Sequence, residues 1–138
     1  MRQVNKKELL RIIDANFNRA KEGLRVVEDT FRFLLNEKSL TQRCQRLLHH
    51  LTNVLGSLKL KELNSARNVA TDIGRPAKTI EFKRRNIDDI VYANLQRVKE
   101  SLRVLEEFSK LIDKKLSAKV KDLRYQIYAL EKDALKKL

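Results

Sequence analysis

Apolar residues recur every three or four positions over the first third of the chain, at Ile13, Phe17, Ala20, Leu24, Val27, Phe31 and Leu34. At about 100° of rotation per residue, that spacing lines one face of an α-helix and leaves the rest to polar side chains. The pattern predicts a first helix over about Lys6 to Leu35, started by Asn5 and Glu8 at capping-box spacing. Ser39 and Gln42 repeat that signal and predict a second helix reaching about Leu60, with its apolar face centred near Leu51. Asn86 is a good N-cap, and Asp88 and Asp89 behind it suit the positive end of a helix. A third helix is therefore expected from Asn86 to about Ile112, and a fourth from about Leu116 to Lys137. Between the second and third lies an irregular stretch holding Gly74 and Pro76.

The first and third helices carry the same motif. Ala15 to Glu28 reads ANFNRAKEGLRVVE and Ala93 to Glu106 reads ANLQRVKESLRVLE, identical at nine of fourteen positions with a constant offset of 78 residues. Five mismatches, among them Gly23 against Ser101, are mild. The chain is thus read as a duplication, 5–61 and 86–138, joined by a linker at 62–85, within a single domain over 1–138. Neither helical hairpin can bury its apolar stripe alone, so the halves are expected to pack as a pseudo-twofold helical bundle. Composition points the same way, because three glycines and one proline are too few for the turns of a sheet protein. The fold class expected is all-α.

Charge narrows the ligands. Lys and Arg number 31 against 18 acidic residues, a formal net charge of +13, which favours an anionic partner: nucleic acid, an acidic surface or a small phosphorylated molecule. No apolar run approaches the roughly 18 residues that would span a bilayer, and Met1 to Asn5 has no signal-peptide character. A cytoplasmic protein is expected. Cys44 is the only cysteine, so an intrachain disulfide and a cysteine-built zinc site are both excluded.

On the helical wheel Asn16 sits within the apolar stripe and Arg19 just beyond its edge. Asn94 and Arg97 repeat the arrangement. A buried amide left unpaired costs about 1–3 kcal/mol, so each asparagine needs a partner. Either it fixes helix register through an interhelical hydrogen bond, or both line a polar pocket with the edge arginines where the halves meet. Arg19/Glu22 and Arg25/Glu28, with Arg97/Glu100 and Arg103/Glu106 as their repeats, are spaced i,i+3. They form either a surface ion-pair ladder worth a few tenths of a kcal/mol per pair or a ligand-binding set.

No glycine-rich phosphate loop is present, so a phosphate would be held by arginine forks and helix N-termini. Of His49 and His50, the only histidines, the first points away from the core of the second helix and the second sits at the edge of its apolar face, so both are expected at the surface. That placement argues against a histidine-based triad or metal cluster. The segment Arg67-Asn68-Val69-Ala70-Thr71-Asp72-Ile73-Gly74-Arg75 is either a plain connection or a loop in which Arg67 grips a phosphate and Asp72 holds magnesium. Magnesium takes one or two carboxylates and fills its other positions with substrate phosphates and water.

IIDANFNRAKEGLRVVEDTFRF, ANLQRVKESLRVLEEFSKL and LRYQIYALE together resemble the hydroxymethylpyrimidine-phosphate kinases of the second, non-ribokinase type. Members of that family occur alone or fused ahead of thiamine-phosphate synthase. The likeness covers about Leu10 to Glu131. It departs at Leu48-His49, where the family has Arg-His, and at Arg67-Asn68-Val69, where the family has Arg-Asp-Thr. The resemblance implies transfer of the γ-phosphoryl of ATP to hydroxymethylpyrimidine phosphate, with magnesium, for thiamine biosynthesis.

The residue reading supplies the roles expected for such chemistry. Arg19, Arg97 and Arg67 are the catalytic candidates; Asn16, Asn94, Arg25, Arg103 and Gly74 are the substrate- and phosphate-binding ones; Glu22, Glu100 and Asp72 are the metal ligands. The wheel spreads these side chains, so Arg25 and Arg103 join the others only if a second subunit of a homo-oligomer completes the site. The rival readings are a non-catalytic accessory domain of thiamine-phosphate synthase and a basic nucleic-acid-binding module. Acidic residues alternating with the repeated arginines weigh against the latter.

Overall fold

The structure, a computed structural model, describes residues 1–76 and 83–138. Among them there are five α-helices and no strand: α1 Lys6–Asp29, α2 Lys38–Val54, α3 Leu60–Ala66, α4 Ile87–Ser109 and α5 Lys114–Leu135. The all-α class expected from the pattern is observed.

Side chains close the helix starts. At α1 the capping box forms as the sequence predicts: Glu8 N donates to Asn5 Oδ1 at 2.9 Å and Asn5 N to Glu8 Oε2 at 3.1 Å. At α4, Asp89 N donates to Asn86 Oδ1 at 2.9 Å. Asp113 caps α5 by accepting from Lys115 N.

Three expectations are corrected. Ser39 does not cap α2, because Asn36 takes a left-handed conformation (φ 52°) and Glu37 an extended one. The helix consequently starts at Lys38, and the Glu37 carbonyl receives the first α-helical bond, from Thr41 N at 3.1 Å. Asparagine is among the few non-glycine residues that occupy that φ readily. Leu34 is exposed rather than in the core, because Thr30–Leu34 is wound as a π-helix. The wider turn shifts the phase after Phe31, which is fully buried. The second helix does not reach Leu60; it tightens to a 3₁₀ turn over Leu55–Ser57, and α3 follows as a separate element on α1. Irregular chain thus begins at Arg67, and part of the expected linker, 77–82, lies outside the described residues.

The core is built mainly where α1 meets α4, the most extensive helix pair, with α5 against α4 and α2 against both α1 and α5. Ile13, Ala20, Leu24 and Val27 of α1 face Val91, Leu95, Val98 and Leu102 of α4, all at most 2% exposed. Each of the Val, Leu and Ile side chains among them contributes about 1.5–3 kcal/mol by leaving water, and Ala20 less. The two helices run antiparallel, since Leu9 and Leu10 near the start of α1 share a groove with Leu111 and Ile112 just beyond α4. They approach closely at Gly23. A Cβ there would lie 2.9 Å from Val98 Cγ2 and 3.0 Å from the Asn94 carbonyl oxygen, so only glycine lets the backbones come this near.

Candidate functional site

The close crossing leaves a cleft of about 700 Å³ along one side of the α1–α4 seam. Asn16 and Arg19 reach it from α1; Asn94, Arg97, Glu100 and Ser101 reach it from α4, and Arg84 comes from the segment before α4. The structure thus brings together both asparagines, both edge arginines and one of the three carboxylates expected at the site.

The asparagines do not bond across the helices. Asn16 Nδ2 donates to the Ile12 carbonyl at 2.9 Å, and Asn94 Nδ2 donates to the Ile90 carbonyl at 2.8 Å, each within its own helix. The register-fixing alternative is therefore overturned. One N–H of each amide is spent, and no described residue donates to either Oδ1. An acceptor and a second donor remain on each amide at the cleft.

The i,i+3 ladder forms only on its C-terminal rung. Arg25 pairs with Glu28, which is fully buried and also accepts from Gln45 Nε2 at 3.1 Å. Arg103 Nη1 lies 3.3 Å from Glu106 Oε2, and Arg124 Nε joins the same carboxylate at 3.0 Å. Among the described residues, neither Arg19 with Glu22 nor Arg97 with Glu100 forms an ion pair, although the spacing is the same. Turned toward the cleft, the two N-terminal arginines keep unneutralised guanidinium groups beside two amides. That is a suitable arrangement for a small anion.

The other expected residues lie elsewhere. Arg67, Asp72 and Glu22 share a second recess on another face of α1, with Asp14 and Asn68. There Arg67 forms a bidentate pair with the buried Asp14 (Nε to Oδ2 2.7 Å, Nη2 to Oδ1 2.8 Å), and these hydrogen bonds hold its guanidinium above the ordinary arginine pKa. Asp72 Oδ1 accepts from Gly74 N at 2.9 Å, an Asx turn that shapes the loop. Arg103 faces a third recess with Lys99, Arg124 and Tyr128, to which Glu100 also contributes. Arg25 and Arg103 thus serve the buried carboxylates of their own helices.

Among the described residues no group of three side chains suited to a metal ion occurs. Glu100 is the one carboxylate among the residues lining the cleft, and magnesium commonly takes only one or two carboxylates from a protein. His49 and His50 are exposed, as the wheel predicts. Arg84 and Asp14 are the functional-looking residues that the sequence reading missed. Arg84 belongs to Lys83-Arg84-Arg85, which reads as an undifferentiated basic run. In the structure Arg85 pairs with Asp89 while Arg84 lines the cleft. Asp14 sits at a position the wheel marks as polar, and only the fold brings Arg67 to it. No helix among the described residues is long and apolar enough to cross a membrane.

Fold and cleft define the class: an all-α domain whose duplicated helices hold twin asparagine–arginine faces around a polar cleft. The chain belongs to the ThiD2 family, whose model matches residues 11–133. It is 40% identical over 136 residues to a thiamine-phosphate synthase of Synechocystis sp., an alignment that covers 98% of this chain and 38% of that protein. A thiamine-phosphate synthase of Nostoc punctiforme is 40% identical over 126 residues, covering 91% and 35%, and one of Synechococcus sp. is 43% identical over 122 residues, covering 88% and 34%. The chain spans little more than a third of the length of these curated relatives. No solved structure matches it.

Proposed function

We propose that this chain acts in thiamine biosynthesis as a kinase that transfers the γ-phosphoryl of ATP to hydroxymethylpyrimidine phosphate. Membership of the ThiD2 family and the names of the relatives support the pathway. The observation that carries the chemistry is the meeting of Arg19 and Arg97, both without ion pairs among the described residues, in one cleft with Asn16 and Asn94.

In this reaction an oxygen of the acceptor's phosphate attacks the γ-phosphorus while the bond from that phosphorus to the β–γ bridging oxygen breaks. ADP leaves with the electron pair, and the product is the pyrimidine diphosphate. The attacking oxygen is already ionised near neutral pH, so no histidine base is needed. What the protein must supply is the positioning of two mutually repelling anions and neutralisation of charge during transfer. Arg19 and Arg97 grip phosphate oxygens from opposite walls. The amide of Asn16 or Asn94, with its remaining acceptor and donor, reads the amino group and ring nitrogen of the pyrimidine. Magnesium, when bound beside Glu100, offsets charge on the phosphates; Glu22 and Asp72, in the other recess, are the weaker candidates for that role.

The test is to incubate purified chain with ATP, magnesium and hydroxymethylpyrimidine phosphate and to score ADP and the diphosphate. Stoichiometric formation of both supports the reading, and a folded but silent protein removes it. A second reading rests on the length relation to the relatives: the chain is an accessory domain that acts only beside a thiamine-phosphate synthase. It predicts no turnover alone and measurable binding to that enzyme.

A further inference from the structure

The two halves do not contribute equally to the cleft. From the first half only Asn16 and Arg19 line it, whereas the second half supplies Asn94, Arg97, Glu100 and Ser101, preceded by Arg84. The repeat offset shows that this inequality is built into the fold. The position equivalent to Arg84 is Lys6, which lies in a different groove with Nζ 3.6 Å from Glu62. The position equivalent to Glu100 is Glu22, which faces the recess containing Arg67. One wall of the cleft therefore carries two arginines and a carboxylate, and the other a single arginine.

Glu100 also borders the neighbouring recess, where Tyr128 presents its ring. Lys99 Nζ lies 4.9 Å from the centre of that ring, and Tyr125 stands 6.2 Å away, centre to centre. The first-half equivalent of Tyr128 is His50, which lies in a different recess, between α2 and α5. An aromatic surface adjoining the cleft is thus found on the second-half side.

Resting on the kinase reading above, we infer that the nucleotide lies along α4, its polyphosphate held by Arg84 and Arg97 and its base against Tyr128, while Arg19 on α1 takes the monophosphate of the acceptor. A polyphosphate carries more negative charge than a monophosphate and spreads it over successive groups. Two guanidinium forks suit adjacent phosphates, and one suits a single phosphate. Glu100 stands where a divalent cation accompanying the polyphosphate would need a carboxylate. Arg84 joins the site from outside the repeated motif, so the duplication alone does not reveal it.

The experiment is calorimetric titration of the full chain and of R84Q, R84K, Y128L and R19Q with magnesium–ATP, magnesium–pyrophosphate and the pyrimidine phosphate. R84Q is expected to weaken ATP and pyrophosphate at least tenfold and the pyrimidine phosphate less than twofold, with R84K intermediate. Y128L is expected to weaken ATP several-fold and to leave pyrophosphate unchanged. R19Q is expected to weaken the pyrimidine phosphate most. Unchanged ATP affinity in R84Q, or equal losses for ATP and pyrimidine phosphate, overturns the assignment; unchanged ATP affinity in Y128L overturns the placement of the base. ATP binding that depends on Arg84 and Tyr128 without diphosphate formation retains the nucleotide site and removes the kinase. Turnover whose KM for ATP is unaffected in R84Q does the reverse.

Discussion

Gly23 on α1 faces the backbone of α4 so closely that a Cβ would stand 3.0 Å from the carbonyl oxygen of Asn94, one of the two asparagines of the cleft. The obstacle includes backbone, so it cannot swing aside like a flexible side chain. Gly23→Ala is expected to push the helices apart. The gain in helix propensity, up to about 1 kcal/mol, is outweighed by overpacking of about 1–3 kcal/mol. Denaturant unfolding should show a lower midpoint, and ligand affinity at the cleft should fall with it, because the same displacement moves Asn94. A midpoint equal to or above that of the parent would show that the crossing is looser than the structure has it.

The pairing pattern separates arginines of the same motif into two classes with opposite readouts. Arg19→Gln and Arg97→Gln remove guanidinium groups that have no described ion-pair partner, so stability should change by less than about 0.5 kcal/mol. Turnover should fall by about 10²–10³-fold, the usual loss when one charge-stabilising donor is removed from a site. Arg25→Gln should do the reverse. It leaves Glu28, which has no exposed surface, with Gln45 as its remaining partner. The stability cost is about 1–3 kcal/mol, moderated because the Arg25 side chain is 59% exposed. Comparing unfolding midpoints with kcat for the three variants decides the matter. Full turnover in both Arg19→Gln and Arg97→Gln would end the case for the cleft.

Much of this architecture could be read along the chain, because period and capping are local. The α1 stripe, the Asn5–Glu8 box and the Asn86 cap each depend on residues a few positions apart, and the duplication is visible by direct alignment. Asn16 could be nominated because a polar residue inside an apolar stripe needs a reason, and Arg19 because it borders that stripe beside Asn16. What could not be read were relations set by the third dimension. Arg67 reads as a free loop cation until the fold carries it to Asp14, 53 positions earlier. The two rungs of the arginine–glutamate ladder have identical spacing, and only the direction each faces decides which one closes. The π-helical turn at Thr30–Leu34 has no period that a 3.6-residue template detects, so the regular pattern points Leu34 to the core while the structure exposes it.

Because Arg67 and Asp14 form a two-bond fork between α1 and the loop after α3, their substitutions are expected to be coupled rather than additive. Arg67→Ala leaves Asp14, 4% exposed, with Asn18 as its main neighbour, Asn18 Nδ2 lying 3.2 Å from Asp14 Oδ1. Asp14→Asn should cause much the same loss. A double-mutant cycle on unfolding free energy should give a coupling of about 1 kcal/mol or more. If instead Arg67→Ala abolished turnover without lowering stability and the cycle showed no coupling to Asp14, Arg67 would be a catalytic cation, the role its place in the sequence suggests.

Cys44, fully buried in α2, gives an alkaline signature. Removal from water pushes its thiol up from 9.0 to about 12, and the negative charge of Glu28 adds to the shift. Below about pH 9 the thiol is protonated in both folded and unfolded chains, so it does not tilt the balance. Above that value the unfolded chain gives up its proton first, and the folded state loses stability progressively until the folded thiol itself ionises near 12. Cys44→Ala, after correction for its cavity cost at neutral pH, should therefore flatten the fall in stability between about pH 9 and 11. The native thiol should also react far more slowly with an alkylating reagent at about pH 8 than the unfolded one does. Equal alkylation rates in the two states would mean that α2 opens readily enough to expose its inner face, and the alkaline slope should then be independent of Cys44.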